Sequence, residues 1–266
     1  MTRLGPHIIR SGNGPAVLLI QGVGMIGEAW RPQIDGLSDT FTTVAFDNRG
    51  IGRGPAVSGP LTIESMAADA LAVADAAGLD RFHVIGHSMG GVIAQELALT
   101  ASARVRSLTL MCTVSRGRDA LGLTSPRMIW LGARSRIGTR RMRRDAFLEI
   151  VMPASALNGV NRAALSEELA ALFGHDLADS PAIVGAQLRA MARYDATGRL
   201  PSLRLPALVM SARHDPIAPP RYGRALAAAI PGAAFMEFED ASHGLPIQHA
   251  GKVNDCLRTW LHRQTA

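Results

Sequence analysis

Short aliphatic runs recur along this chain at intervals. AVLLIQ (16–21), TTVAFD (42–47), FHVIGH (82–87), SLTLMC (107–112) and ALVMSA (207–212) are separated by glycine, proline or polar stretches. Continuous apolar runs of this length, with many branched side chains, are what strands covered on both faces look like. Between them, residues 63–77 and 92–100 carry helical spacing. The order βαβα predicts an α/β fold with a mostly parallel central sheet flanked by helices.

That rhythm breaks between about residues 115 and 199. Helix-like segments, among them MIWLGARSRIGTRRMRRDAF, EELAALFGHDL and AIVGAQLRAMARY, follow one another there with no strand between them, and the strand rhythm resumes at Leu205. The expected organisation is a core made of residues 1–114 and 199–266, with a helical lid inserted at 115–198 over the carboxyl end of the sheet.

Composition narrows the picture. Hydrophobic residues make up 47% of the 266 and aromatics 5%, enough aliphatic surface for a buried core. Lys plus Arg minus Asp plus Glu is 28 − 22 = +6, and Lys252 is the only lysine. The basic balance comes without a nucleic-acid motif or a basic and aromatic stripe, so no nucleic-acid partner is expected. No apolar stretch reaches signal-peptide or membrane-span length, which implies a cytoplasmic protein with no membrane partner. Cys112 and Cys256 lack metal or redox spacing and read as free thiols. Homo-oligomerisation is left open.

The chemistry starts at Gly86-His87-Ser88-Met89-Gly90-Gly91, where the FHVIG strand runs into a tight turn and then the helical VIAQELALT. A G-x-S-x-G turn between strand and helix forces its serine into a strained conformation and lifts the hydroxyl above the sheet. The Met89 amide, at the start of the helix, points at the same spot, where the helix dipole favours negative charge. A serine hydroxyl needs an imidazole to take its proton and a carboxylate to orient that imidazole. Asp215, just past ALVMSA, and His243, in a loop after AAFMEFED and before a last helix, supply them in the order Ser, Asp, His. Each has a plainer reading too, Asp215 as an Asp-Pro turn former and His243 as an exposed loop histidine. Asp119, after SLTLMC, is an alternative acid.

GHSMGG resembles the nucleophile elbow of the α/β-hydrolase superfamily, and other segments match it in order. FDNRGIGRG (46–54) is similar to the superfamily's D-x-R-G-x-G-x-S loop, with Gly54 where serine is usual. PALVMSARHDPIAPP (206–220) and DASHGLPIQH (240–249) resemble the segments that carry the acid and the histidine. The resemblance implies an α/β-hydrolase fold with an inserted helical lid, a catalytic triad of Ser88, Asp215 and His243, and an oxyanion site of the Val23 and Met89 amides. Gln21 stands where the superfamily usually has histidine. It also implies a serine hydrolase acting on a small carboxylic ester or lactone, hence a carboxylesterase or lactonase, with no metal and no organic cofactor. A carbon-carbon bond hydrolase and a cofactor-independent haloperoxidase or perhydrolase share the triad, and a non-catalytic binding protein is the rival from another class.

Gly22-Val23-Gly24-Met25-Ile26-Gly27 also satisfies the G-x-G-x-x-G dinucleotide fingerprint, with Asp47 20 residues past Gly27 at the next strand's end. Alone, it points to an NAD-binding oxidoreductase. Arg31-Pro32 follow where the fingerprint helix should pack, and the hydrolase reading accounts for the later loops as well. Gly22, Gly24, Met128 and Trp130 are the candidate substrate-binding residues. Leu131, Phe147, Met152, Leu172 and Phe173 could line an acyl pocket with them, although helix core is the default for each lid residue. Arg127, Arg134, Arg136, Arg140, Arg141, Arg143 and Arg144 crowd the first part of the lid. They read as a solvated face, or for one of them as a carboxylate contact.

Overall fold

A computed structural model describes residues 7–121 and 126–265, so the ends of the expected core and residues 122–125 of the expected insertion lie outside it. Seven strands form one sheet: β1 (Ile8–Ser11), β2 (Ala16–Ile20), β3 (Thr42–Phe46), β4 (Phe82–His87), β5 (Val105–Met111), β6 (Ala207–Ala212) and β7 (Ala234–Phe238). Their spatial order is β1-β3-β2-β4-β5-β6-β7, and only β1 runs antiparallel to its neighbour. The strand rhythm of the sequence thus becomes the expected mostly parallel sheet.

The apolar runs are continuous because both faces are covered. Leu18, Ile20, Val44, Phe46, Val84, Leu108, Leu110 and Val209 enter one core, shared with α2 (Ile63–Ala76), α3 (Met89–Thr100) and α10 (Pro220–Ala229). The alternate positions Val17, Leu19, Ala45, Ile85, Met111, Leu208 and Met210 enter a second core, against α1 (Arg31–Leu37) and α12 (Ala250–Arg263). Successive side chains of a strand point to opposite faces, so one unbroken run feeds two cores. β1 has no such run. It is a short edge strand paired on one side only, and its HIIRS sequence carries too little pattern to stand out.

Between β5 and β6 come α4 (Gly117–Leu121), α5 (Pro126–Arg134), α6 (Arg140–Val151), α7 (Ala154–Leu157), α8 (Arg162–Phe173) and α9 (Val184–Arg193). This segment leaves and rejoins the sheet through a narrow neck. Gly117 donates to the Tyr194 carbonyl and Ala196 to the Ser115 carbonyl, both at 3.0 Å, around an isolated bridge between Arg116 and Asp195. The neck is fixed from below by Glu96 of α3, which is 3% exposed and accepts from the Tyr194 hydroxyl at 2.9 Å and from Arg199 at 2.7 Å. Burial beside Glu96 pushes the Tyr194 phenol far above its usual range, so it stays a donor. The helices carry their own small core of Leu148, Val151, Met152, Leu157, Leu169, Phe173 and Leu177, which also takes in Ala29 beyond β2. No helix among the described residues is long and apolar enough to cross a membrane.

The loop after β2 answers the fingerprint question. After the glycines the chain makes a short helical turn over Gly27–Trp30 and enters α1 at Arg31. Pro32 lies in the first turn of α1, where a missing N–H costs nothing. The Asp47 carboxylate faces inward. It accepts from the Gly27 amide at 2.7 Å and the Arg53 amide at 2.8 Å, tying the glycine loop to the loop after β3. A ribose-binding acid would need those oxygens for its ligand. Because Asp47 is 6% exposed and carries two charge-assisted bonds, Asp47→Ala should cost about 2–4 kcal/mol of stability. Urea denaturation measures this, and an unchanged midpoint would rule the tether out.

Candidate active site

Ser88 sits at the carboxyl end of β4 with φ 55° and ψ −121°, a region that non-glycine residues seldom occupy. The surroundings leave no room for another path. A Cβ on Gly90 would lie 1.9 Å from the Ile20 carbonyl oxygen, and one on Gly86 2.3 Å from the Gly90 carbonyl oxygen. Strand β4 and helix α3 can therefore pack this close only through glycine. The Ser88 amide donates to the Met111 carbonyl at 3.0 Å, and the Ser88 carbonyl accepts from the Thr113 hydroxyl at 2.7 Å. Strain of this kind costs on the order of 1–3 kcal/mol and persists only when its frame over-determines it.

Three loops at the carboxyl edge of the sheet bring Ser88, His243 and Asp215 together. His243 Nε2 lies 3.0 Å from Ser88 Oγ, and His243 Nδ1 lies 2.8 Å from Asp215 Oδ2. The other Asp215 oxygen accepts from the Ile217 and Ala218 amides at 2.8 and 2.9 Å. Burial alone would raise the Asp215 pKa. The His243 ring, its hydrogen bond and the two amides outweigh burial and hold the carboxyl below its ordinary value. An ionised Asp215 accepts a hydrogen bond from His243 Nδ1–H, which leaves Nε2 free to accept from the serine hydroxyl. Asp119 is elsewhere, paired with Arg116 at 2.8 Å.

Two residues at this site carry no local sequence signal. His87 is 7% exposed, and its Nε2–H donates to the His243 carbonyl at 2.8 Å, with the two rings 4.9 Å apart. Burial and the neighbouring His243 push its pKa down to about 3. Cys112, with φ 48° just past β5, is buried near Asp215, and burial and the nearby carboxylate push its thiol well above its usual range. Both depend on contacts between distant segments, which no local pattern encodes.

The glycine loop passes directly over the serine. A Cβ on Gly22 would lie 3.3 Å from Ser88 Cβ. Among the described residues, neither the Val23 nor the Met89 amide has a hydrogen-bond partner, and Met89 opens α3. Gln21 is buried, and both of its side-chain polar atoms are without partners among the described residues.

A cavity of about 300 Å³ opens above Ser88 and His243. Gly22, Val23 and Gly24 form one wall, and Phe147, Phe173 and Leu188 are among the apolar side chains opposite. A second, very narrow apolar pocket lies on the other side of His243, lined by Trp30, Met152 and Ile247 among others. Met128 and Trp130 are not in either wall. Met128 and Leu131 line a separate cavity near His214, and Trp130 is half exposed under the Arg134 guanidinium, 4.5 Å from its ring centroid. Their place follows from how α5 turns its faces, which helical spacing alone does not tell. Of the arginines, Arg140 and Arg144 pair with Asp176 and Asp179, and Arg136 lines the cavity. The Arg127 side chain lies outside the described residues.

A sheet of this order, with a serine held at a strand-to-helix turn and bonded through histidine to a buried carboxylate, is the arrangement of a hydrolase of the α/β-hydrolase fold. The chain belongs to that family, whose sequence profile it matches over residues 15–250. It is 32% identical over 250 residues to the candidate carbamate hydrolase RutD of Azorhizobium caulinodans, covering 92% of this chain and 91% of that one. Among solved structures it is similar to the enol-lactonase of Burkholderia xenovorans LB400, with 29% identity, TM-score 0.79 and 96% of each chain covered. A thermophilic esterase from Thermogutta terrifontis aligns with 26% identity and TM-score 0.79, over 97% of this chain and 93% of that one.

The buried His87 gives a pH test. An unfolded histidine takes up its proton near pH 6.5, whereas folded His87 does so only near pH 3, so acidification below 6.5 favours the unfolded chain. The melting temperature should fall between pH 6.5 and 4, and the fall should be shallower in His87→Gln, which has no titrating ring. Equal slopes in the two proteins would refute the assignment.

Proposed function

We propose that the chain is a serine hydrolase that cleaves a small carboxylic ester or lactone through an acyl-enzyme on Ser88. The observation that carries the reading is the unbroken hydrogen-bond chain from Ser88 Oγ through His243 to the buried Asp215. In this reading Ser88 Oγ attacks the carbonyl carbon as its proton passes to His243 Nε2, and Asp215 steadies the imidazolium that forms. The carbonyl oxygen becomes an oxyanion between the Val23 and Met89 amides. Collapse breaks the bond to the alcohol oxygen, which leaves with the proton from His243. Water, deprotonated by the same nitrogen, then attacks the acyl group, and Ser88 recovers its proton.

The esterase and the enol-lactonase among the similar structures support ester and lactone chemistry. The likeness to RutD favours a second reading, hydrolysis of a carbamate, by the same steps. A fluorophosphonate probe should label wild-type Ser88 and leave Ser88→Ala unlabelled. On the best of a panel of aryl esters, lactones, carbamates and a ring-cleavage diketone, Ser88→Ala should lose about 10⁴–10⁶-fold in kcat. Labelling that survives in Ser88→Ala defeats the proposal, and peroxide-dependent halogenation or preference for the diketone redirects it.

Arg136 bears on the substrate's other end. It lines the cavity and has no acidic partner among the described residues, while Asp179 in the same wall is taken by Arg140 at 2.9 Å. A substrate carrying a carboxylate away from its ester should gain from it. A dicarboxylic monoester should exceed its neutral analogue about tenfold in kcat/KM, a difference of roughly 1.4 kcal/mol. Arg136→Gln should remove the preference; identical ratios in both proteins exclude it.

A further inference from the structure

We propose that Gln187 of α9 is a positioning residue for the oxyanion site, holding the glycine loop over Ser88 from above with His175 as its partner. The inference rests on the reading of Ser88 as the nucleophile and of the Val23 amide as an oxyanion donor.

The loop is poorly held by the sheet. It leaves β2 after Ile20 and is next tied down at Gly27, by Asp47. Among the described residues, the backbone from Gly22 to Met25 makes hydrogen bonds only at Gly24, and both partners come from the helical segment between β5 and β6. Gln187 Oε1 accepts from the Gly24 amide at 2.8 Å, and His175 Nε2 lies 3.1 Å from the Gly24 carbonyl oxygen. Gly24 adopts φ 74°, and a Cβ there would come within 3.0 Å of Val184 Cγ2, one turn before Gln187. Gln187 is fully buried, so its bond to Gly24 does not compete with solvent.

Geometry links this contact to the reaction. The peptide between Val23 and Gly24 is a rigid plane, so an acceptor that fixes the Gly24 N–H also fixes the plane on one side of the Val23 Cα. The Val23 N–H leaves that same Cα on the other side. An oxyanion donor is useful only if it is already aimed when charge develops. Neighbours of Gln187 on α9, Val184, Leu188 and Met191, line the cavity. One helix therefore both shapes the substrate space and sets the donor, and the oxyanion site is complete only while the helical segment is seated.

The test compares Gln187→Leu, which fills the space without accepting a hydrogen bond, with Gln187→Glu, which keeps an acceptor oxygen. Gln187→Met replaces the leucine variant if that one fails to fold, and melting temperatures are taken for all. Gln187→Leu should lower kcat on the best ester about 10–100-fold, below the loss expected for removing a donor outright, with KM within about twofold. It should weaken inhibition by a trifluoromethyl ketone, which forms a tetrahedral oxyanion on the serine, by the same factor. Gln187→Glu should recover most of both. The proposal is overturned by an unchanged kcat in Gln187→Leu, by a loss confined to KM, by intact ketone affinity, or by an equal loss in Gln187→Glu. An active wild type matched by Gln187→Leu removes this inference alone. A wild type that turns over no ester and takes no fluorophosphonate at Ser88 removes it together with the functional reading beneath it.

Discussion

The close approach of α3 to the end of β2 is the constraint on which the rest of the site depends. Gly90 lies so near the Ile20 carbonyl that not even a methyl group fits, and Gly86 meets Gly90 in the same way. Only this contact allows β4 to turn directly into α3, and only that turn holds Ser88 in its left-handed conformation with its hydroxyl above the sheet. The same approach puts the first turn of α3 beside the glycine loop that follows β2. A Cβ on Gly22 of that loop would lie 3.3 Å from Ser88 Cβ, so the segments that carry the amides proposed for the oxyanion, Val23 and Met89, meet at the serine. A single packing fact therefore fixes Ser88 in its turn and, with it, the glycine loop's position beside the serine.

The supporting polar groups are arranged around that fact with little redundancy. Asp215 is buried, and its carboxyl is held below its ordinary value because a histidine ring and two backbone amides compensate for the lost water. His87 contributes in the opposite sense. Kept neutral by burial, it sits beside His243 without adding a charge there, and it spends its one proton on the His243 carbonyl. A protonated histidine here would repel the imidazolium that the proposed reaction forms. Burial at this position therefore serves the electrostatics as well as the packing.

How much of this was legible in the sequence follows from where each piece of information is stored. The strands β2 to β6 were legible because their continuous apolar runs encode burial on both faces, and Ser88, Asp215 and His243 because each follows a strand in a segment with its own turn chemistry. β1 was missed because an edge strand needs no such run. The candidate contacts Met128 and Trp130 were drawn from apolar spacing in α5. That spacing says which residues share a helix face but not which way the helix is rolled, and the structure turns Trp130 outward beneath Arg134. The glycine loop was ambiguous for a deeper reason. A dinucleotide pyrophosphate and a tetrahedral oxyanion both ask for bare backbone amides after a strand, so glycine spacing cannot separate them. The use of Asp47 separates them, since its carboxylate binds the Gly27 and Arg53 amides instead of facing outward.

Gln187 and His175 belong to what sequence could not show, because their roles exist only across 163 and 151 residues of chain. Their position also bears on what the helical segment between β5 and β6 does for the site. If such a segment only roofed the substrate, its chemistry would affect binding and leave the reacting atoms alone. Here it supplies the hydrogen bonds that hold the glycine loop, while the loops at the sheet's edge supply Ser88, Asp215 and His243. The helical segment is itself anchored below by Glu96 of α3, which accepts from the Tyr194 hydroxyl and from Arg199. Helix α3 therefore acts on the site along two routes, directly through Ser88 and Met89, and indirectly through the neck that seats α9 over Gly24. Ser88 is held by backbone packing and the loop above it by side chains of the helical segment, so a change in the neck reaches the glycine loop without passing through the turn at Ser88.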